Sequence, residues 1–213
     1  TYTARKLPQR LGPSGWVSLL PPRAETAPLE GDITADIVII GGGFAGLAAA
    51  RTLSRADPAA KVALLEALAI GDGACGRNSG FLIDLPHEVS SERYGSGSAS
   101  RSRDEITVNR TAIALARGMA EEHAWGRDIF DPCGKYSIAM SDAGDHHLAD
   151  YAQQLVALGE AHERLDRGRT EALTGSPAFT SALFTPGCIM VQPAAYVRAF
   201  ADQIRGFLPG QDY

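Results

Sequence analysis

"VIIGGGFAGLAAA", residues 38–50, passes from an apolar stretch through three consecutive glycines into a helical pattern. Three residues without side chains between two hydrophobic segments leave backbone uncovered, and a reason is needed for that. Upstream, "DIVIIG" has the unbroken β-branched character of a strand buried on both faces, as in a parallel sheet. Downstream, "GLAAARTLSRA" has helical character and ends before Asp57-Pro58, and "KVALLEA" reads as a second buried strand. Strand, glycine turn, helix and strand within about thirty residues make a βαβ unit.

Gly41, Gly43 and Gly46 spell G-x-G-x-x-G, with Phe44 and Ala45 in the two positions between the last two glycines, directly after a strand and at the opening of a helix. The first glycine makes a tight turn, the second lets backbone approach a pyrophosphate, and the third lets helix and strand pack closely. The helix N-terminus then offers N–H groups and a positive dipole end to phosphates. The second strand ends in an acid, Glu66, 20 residues beyond Gly46. Such a carboxylate accepts hydrogen bonds from an adenosine ribose and repels a 2′-phosphate. The pattern is that of a dinucleotide site. NAD and FAD share it, and no second glycine-rich fingerprint is expected after another strand, which counts against a nicotinamide-side repeat.

The next loop discriminates. "GDGACGRNSGF", residues 71–81, follows the second strand. Its glycines leave N–H groups uncovered, Arg77 can pair with a phosphate or a carboxylate, and Asn78 can both donate and accept. The stretch Gly73-Ala74-Cys75-Gly76-Arg77-Asn78-Ser79-Gly80 resembles the "G-A-S-G-R-N-G-G" loop of flavin-dependent amine and amino-acid oxidases related to D-amino acid oxidase and glycine oxidase. Cys75 stands for the usual Ser and Ser79 for the usual Gly. "LFTPGCIMVQPAAYVRAFADQI" is similar to that family's hairpin and following helix, and "PLEGDITADIVIIGGGFAGLAAA" is most similar to its γ-glutamylputrescine oxidase branch.

The resemblance implies an α/β protein: a Rossmann-like FAD-binding βαβ domain with part of a second, α+β substrate domain carrying a mostly antiparallel sheet. It implies FAD as cofactor, held by Gly41, Gly43, Phe44, Ala45, Gly46, Glu66 and Ala67, with Cys75, Arg77, Asn78, Ser79 and Gly80 along the diphosphate or flavin ring. It implies oxidation of an amine or amino-acid C–N bond by hydride transfer to flavin, the imine then being hydrolysed. No residue is assigned as catalytic. The alternatives are an NAD-dependent dehydrogenase and a non-catalytic FAD-binding subunit or sensor.

Along the chain, residues 1–34 contain five prolines and read as an arm, 35–100 as the FAD-binding βαβ unit and flavin loop, and 101–192 as helices and part of the substrate-domain sheet. Residues 71–100, rich in Gly and Ser, read as loop. Ile106, Ile113, Ala116 and Ala120 predict a helix over 104–125, and Leu148, Tyr151, Ala152 and Leu155 predict another over 142–160. "TEALTG" is expected as a short helix closed by Gly175, and "KYSIAM" as a strand. "ALFTP" and "CIMVQ" are expected to form a hairpin around Pro186-Gly187. A helix opening at Pro193, with Val197, Phe200, Ala201, Ile204 and Phe207 on one stripe, is expected to return to the FAD domain, where the chain is read as incomplete. A C-terminal portion or second chain would then complete the fold.

With 213 residues, 45% hydrophobic and 21% charged, the chain has an ordinary globular composition. A net charge of −5 with no basic block argues against nucleic acid as a partner. No apolar run approaches the roughly 20 residues of a membrane span. Cys75, Cys133 and Cys188 are odd in number and widely spaced, which suggests a reducing, cytoplasmic setting; Cys133 and Cys188 are expected to be buried. His87, His123, His146, His147 and His162 show no metal-ligand spacing, so no metal is expected. Glu121, Glu122 and the charges from Arg164 to Glu171 read as solvated helix faces.

Overall fold

The computed structural model describes residues 12–23, 28–86 and 99–205. Readings that fall on 1–11, 24–27, 87–98 and 206–213, among them His87, Phe207 and the end of the last helix, lie outside the described residues. The chain divides into two compact units, one of residues 1–80 with 192–213 and one of 81–191.

In the first unit β1 (Ile37–Ile40) and β2 (Val62–Leu65) pair in parallel, from Ile37 opposite Val62 to Ile40 opposite Leu65. They are joined by α2 (Phe44–Ala56). Asp57 leaves helical conformation at the residue before Pro58, where the proline ring disfavours α backbone. A short helix, α1 (Gly15–Ser18), precedes β1. The last helix, α6 (Pro193–Arg205), packs against α1, α2 and a 3-10 turn at Ala74–Gly76. It opens at Pro193, where a missing N–H costs nothing, and Gln192 Oε1 accepts from the Ala195 N–H at 2.7 Å. Val197, Phe200, Ala201 and Ile204 form its buried stripe, as their spacing predicts. Tyr196 meets Phe44 of α2 edge-on, ring centroids 5.6 Å apart.

The burial expected for both faces of β1 is not met. Alternate side chains of a strand project to opposite faces. Ile39 faces Gly46 of α2, while Val38 and Ile40 project the other way and are 53% and 86% exposed. Among the described residues nothing covers that face.

The second unit holds two three-stranded antiparallel sheets. One has β8 (Ile189–Val191) between β3 (Phe81–Leu82) and β4 (Phe130–Asp131); the other has β7 (Ser181–Thr185) between β5 (Lys135–Ala139) and β6 (Glu163–Leu165). Three helices complete it: α3 (Ala99–Glu122), α4 (Asp142–Leu158) and α5 (Arg167–Thr174). In α4 the N-cap Ser141 accepts from the Gly144 N–H, and Gly159 closes the helix in left-handed conformation, φ 77°. Leu148, Tyr151, Ala152 and Leu155 pack with Leu85, Ile106 and Leu183 into the unit's core. Gly175 closes α5 in the same way, φ 71°.

Four expectations need correction here. β7 and β8 are consecutive but form no hairpin, because both edges of β7 are already taken by β5 and β6. The intervening Gly187 instead packs on the carboxylate of Asp84, just past β3, leaving no room for a Cβ, and β8 pairs beside β3. The Asp84 charge, 2% exposed, is balanced by Arg110 at 2.8 Å. Residues 71–100 are not all loop: they contain the 3-10 turn, β3 and the start of α3. Arg164 lies in β6 and not on a helix. Cys188 is buried as expected, but Cys133 is exposed.

Candidate dinucleotide site

The site grows from the end of β1. Gly41 donates its N–H to the Leu65 carbonyl at 2.7 Å and then turns with φ 102°, a conformation open to glycine and costly for a residue with a Cβ. That turn sets the Gly41 carbonyl against Gly46, where an added Cβ would overlap it. Gly46 is therefore the close-packing glycine of the helix–strand crossing. Gly43 caps α2 in extended conformation and has no side chain to satisfy the first-turn N–H groups. A Cβ on Gly43 would lie 3.1 Å from Cys75 Sγ, and that sulfur accepts from the Phe44 N–H at 3.3 Å.

Glu66 leaves the end of β2 and reaches back to the turn. Its Oε2 accepts from the Gly42 N–H at 2.6 Å and its Oε1 from the Leu68 N–H at 3.0 Å. Two backbone donors thus fix the plane of an exposed carboxylate that retains further acceptor capacity. Gly42 fills a free position of the fingerprint for a local reason: Ile70 and Glu66 occupy the space a Cβ would need.

The loop after β2 repeats this device. Gly71-Asp72-Gly73-Ala74-Cys75-Gly76 also spells G-x-G-x-x-G. Gly71 turns with φ 92°, Gly73 caps the 3-10 turn at φ −79° and ψ −171°, and a Cβ on Gly76 would overlap the Gly71 carbonyl. The corresponding cap at Gly43 has φ −84° and ψ −176°. The second turn is separated from β2 by five residues, and it opens only the short 3-10 turn Ala74–Gly76. Its sulfur, Cys75, closes onto the first turn.

Residues 36–206 match the FAD dependent oxidoreductase family, DAO. The chain belongs to that family. It is similar to the gamma-glutamylputrescine oxidoreductase of Escherichia coli (strain K12), 45% identical over 194 residues that cover 83% of this chain and 41% of the relative. It is 29% identical over 168 residues to the "Probable oxidoreductase OrdL" of Rhizobium meliloti (strain 1021), covering 77% of this chain and 33% of the relative. The fold is similar to that of glycine oxidase from Geobacillus kaustophilus, with a TM-score of 0.62 at 22% identity over 81% of this chain and 45% of that one. The chain thus spans less than half the length of these proteins.

The described residues fit the cofactor of the FAD dependent oxidoreductase family. Gly43 leaves the N-terminus of α2 without a side chain, Gly46 and Gly76 let each turn close tightly on its own backbone, and the Glu66 carboxylate is oriented beside the first turn. The structure brings Gly41, Gly43, Phe44, Gly46, Glu66 and Cys75 together. Ala45, Ala67 and Ser79 are exposed around them, and Gly80, φ 82°, is buried at the end of the loop. Arg77 and Asn78 are engaged by backbone carbonyls, those of Arg77 lying both in the loop and in the segment before β1. Arg77 Nε donates to the Asp72 carbonyl at 2.7 Å and its Nη2 to the Gly12 carbonyl. Asn78 Nδ2 donates to the Cys75 carbonyl at 2.8 Å, and its Oδ1 accepts from the Gly80 N–H at 2.8 Å.

Sequence reasoning missed Gly42, Ile70 and the Gly71–Gly76 turn. The last was legible, contrary to the expectation of no second fingerprint: Gly71, Gly73 and Gly76 have the same spacing as Gly41, Gly43 and Gly46. Among the described residues no group of three His, Cys, Asp or Glu side chains converges as a metal site, and no helix is long and apolar enough to cross a membrane.

Proposed function

We propose that this chain binds FAD and belongs to an enzyme that oxidises the C–N bond of an amine or amino acid. The observation that carries the proposal is the Glu66 carboxylate, oriented at the end of β2 beside the open glycine turn of α2, within a chain of the FAD dependent oxidoreductase family. Gly41, Gly43 and Gly46 would admit the diphosphate to the N-terminus of α2, and Glu66 would accept from the adenosine ribose hydroxyls. FAD, when bound, supplies the hydride acceptor. The product imine is released to water and hydrolysed to a carbonyl compound and an amine or ammonia. The 45% identity to a gamma-glutamylputrescine oxidoreductase supports an amine substrate.

The exposed side chains of Val38 and Ile40 support a further reading: additional chain, from the same polypeptide or a second subunit, covers that face of the sheet. Three free cysteines support a reducing, cytoplasmic setting.

The test is to titrate the full-length apoprotein with FAD and then assay a panel of amines and amino acids under oxygen and with an artificial electron acceptor. A flavin band in the visible spectrum with amine-dependent bleaching is expected. Stoichiometric NAD binding with no flavin binding would overturn the cofactor assignment. Bound FAD with no bleaching by any amine would overturn the substrate class.

A further inference from the structure

Three consecutive loop residues, Gly76, Arg77 and Asn78, are each tied to the segment that precedes β1. Ser14 Oγ accepts from the Val17 N–H at 3.1 Å, capping α1, and donates to the Gly76 carbonyl at 2.8 Å. Ser14 is buried, and Gly76 is the close-packed last glycine of the second turn. The Arg77 guanidinium donates to the Gly12 carbonyl. Trp16 Nε1 donates to the Asn78 carbonyl at 2.8 Å. A four-residue helix has no stability of its own, so α1 is held by these partners and by α6.

The other side of the segment is fastened to α6. Gln192 Nε2 donates to the Trp16 carbonyl at 2.9 Å while its Oε1 caps that helix. Arg198 Nη1 donates to the Pro21 carbonyl at 3.2 Å, and Arg23 pairs with Asp202. These bonds link the segment across more than 170 positions of sequence, within one compact unit.

The consequence lies in the peptide planes. In a trans peptide the carbonyl of one residue and the N–H of the next point in opposite directions. With the Asn78 carbonyl turned to Trp16, the Ser79 N–H points away from Trp16, on an exposed residue of the loop whose Cys75 closes onto the Gly43 turn. With the Gly76 carbonyl turned to Ser14, the Arg77 N–H is directed back to the Ala74 carbonyl, closing the 3-10 turn. Rotation of either plane would aim an acceptor where a donor is needed.

We propose that Ser14 and Trp16 are positioning residues of the FAD site: they hold the 76–79 peptide planes so that the Ser79 N–H is presented as a donor to an acceptor oxygen or nitrogen of FAD. This rests on the FAD reading above. They act through the loop and touch no reacting atom. Trp16→Phe removes the indole N–H that donates to Asn78 while keeping an aromatic ring, and so separates the hydrogen bond from most of the packing.

The test uses Trp16→Phe, Ser14→Ala and Ser14→Thr in the full-length protein, with FAD as the probe. Three quantities are read: the dissociation constant for FAD by quenching of its fluorescence, amide hydrogen exchange of residues 76–80 in the apoprotein, and the reduction potential of bound FAD. Trp16→Phe and Ser14→Ala should each weaken FAD about fivefold, the scale of one hydrogen bond. Both should accelerate exchange at 76–80 and shift the potential, and Ser14→Thr should restore all three. Wild-type FAD affinity and potential in Trp16→Phe would overturn the proposal, whether or not exchange changes. If Ser14→Ala fails to fold, Trp16→Phe alone decides. A wild-type protein that binds no FAD would instead overturn the cofactor reading, and with it the proposal.

Discussion

Replacing Glu66 separates the backbone bonds its carboxylate makes from the ribose contact proposed for it. In the structure it accepts from the Gly42 and Leu68 N–H groups at 2.6 and 3.0 Å. Bonds to a charged acceptor contribute about 1.5–3 kcal/mol in protected settings. Glu66 is exposed, and water replaces part of what is lost, so Glu66→Ala should cost the apoprotein only about 1 kcal/mol. Loss of the ribose hydrogen bonds is a second, independent effect of about 1–3 kcal/mol, or roughly 5- to 150-fold in the FAD dissociation constant. Glu66→Gln keeps one acceptor for Gly42 but turns an amide donor toward the Leu68 N–H or the ribose, so it should fall between wild type and alanine. The assay is parallel fluorescence titration of each apoprotein with FAD, FMN and riboflavin. FMN and riboflavin lack the adenosine ribose, and their binding should be unchanged. An equal loss for FMN and FAD would show that Glu66 acts on the glycine turn alone, and unchanged FAD affinity in Glu66→Ala would refute the ribose assignment.

Gly43→Val should abolish FAD binding in a folded protein, since its branch would fill the phosphate approach and press on Cys75 Sγ, 3.1 Å from the first added atom; full flavin occupancy would exclude this geometry. Gly46→Ala should be worse for folding, because its methyl would overlap the Gly41 carbonyl: a loss of about 3 kcal/mol or more in urea unfolding is expected, and a near-neutral effect would contradict the close crossing. Burial pushes the phenols of Tyr151 and Tyr196 up from 10.0 to about 12. The fold therefore retains protons that the unfolded chain releases: this stability is present below pH 10 and is lost as pH rises toward 12. Tyr196→Phe should flatten that alkaline loss, and an identical pH slope in urea unfolding would count against it. Asp145 has its pKa lowered by hydrogen bonds from Ser181 and then Thr180, so its contribution is present above the ordinary aspartate value and lost as pH falls through the lowered one. Asp145→Asn should remove that acid-side dependence, measured as unfolding midpoint against pH.

Much of the fold is local in origin and therefore legible. The βαβ unit follows from an apolar strand, a glycine turn and a helix stopped at Pro58, each set by residues a few positions apart. The stripes of α4 and α6 follow from periodicity, and the caps at Gly159 and Gly175 from the freedom of glycine to take positive φ. Strand pairing was not legible in the same way. β7 and β8 are separated by three residues yet enter different sheets, a choice made by which edges were already occupied and by where Asp84 is buried.

For the site, the sequence by itself supplied the residues on which the FAD proposal rests: three glycines at a strand-to-helix turn, an acid at the end of the second strand, and a second glycine loop after it. Residue type and spacing suffice there, because the backbone demands of the turns are met by glycine and by little else. Tertiary structure decided what each polar side chain does. Arg77 and Asn78 have donors enough for a phosphate or a ring edge, and the fold engages them with backbone carbonyls, Arg77 with those of Asp72 and Gly12 and Asn78 with that of Cys75. Ser14, Trp16 and Gln192 carry no recognisable signal, since their hydrogen bonds join carbonyls that lie 62 to 176 positions away. A side chain's donors are written in the sequence; their direction is set by whichever acceptor the folded chain brings within reach.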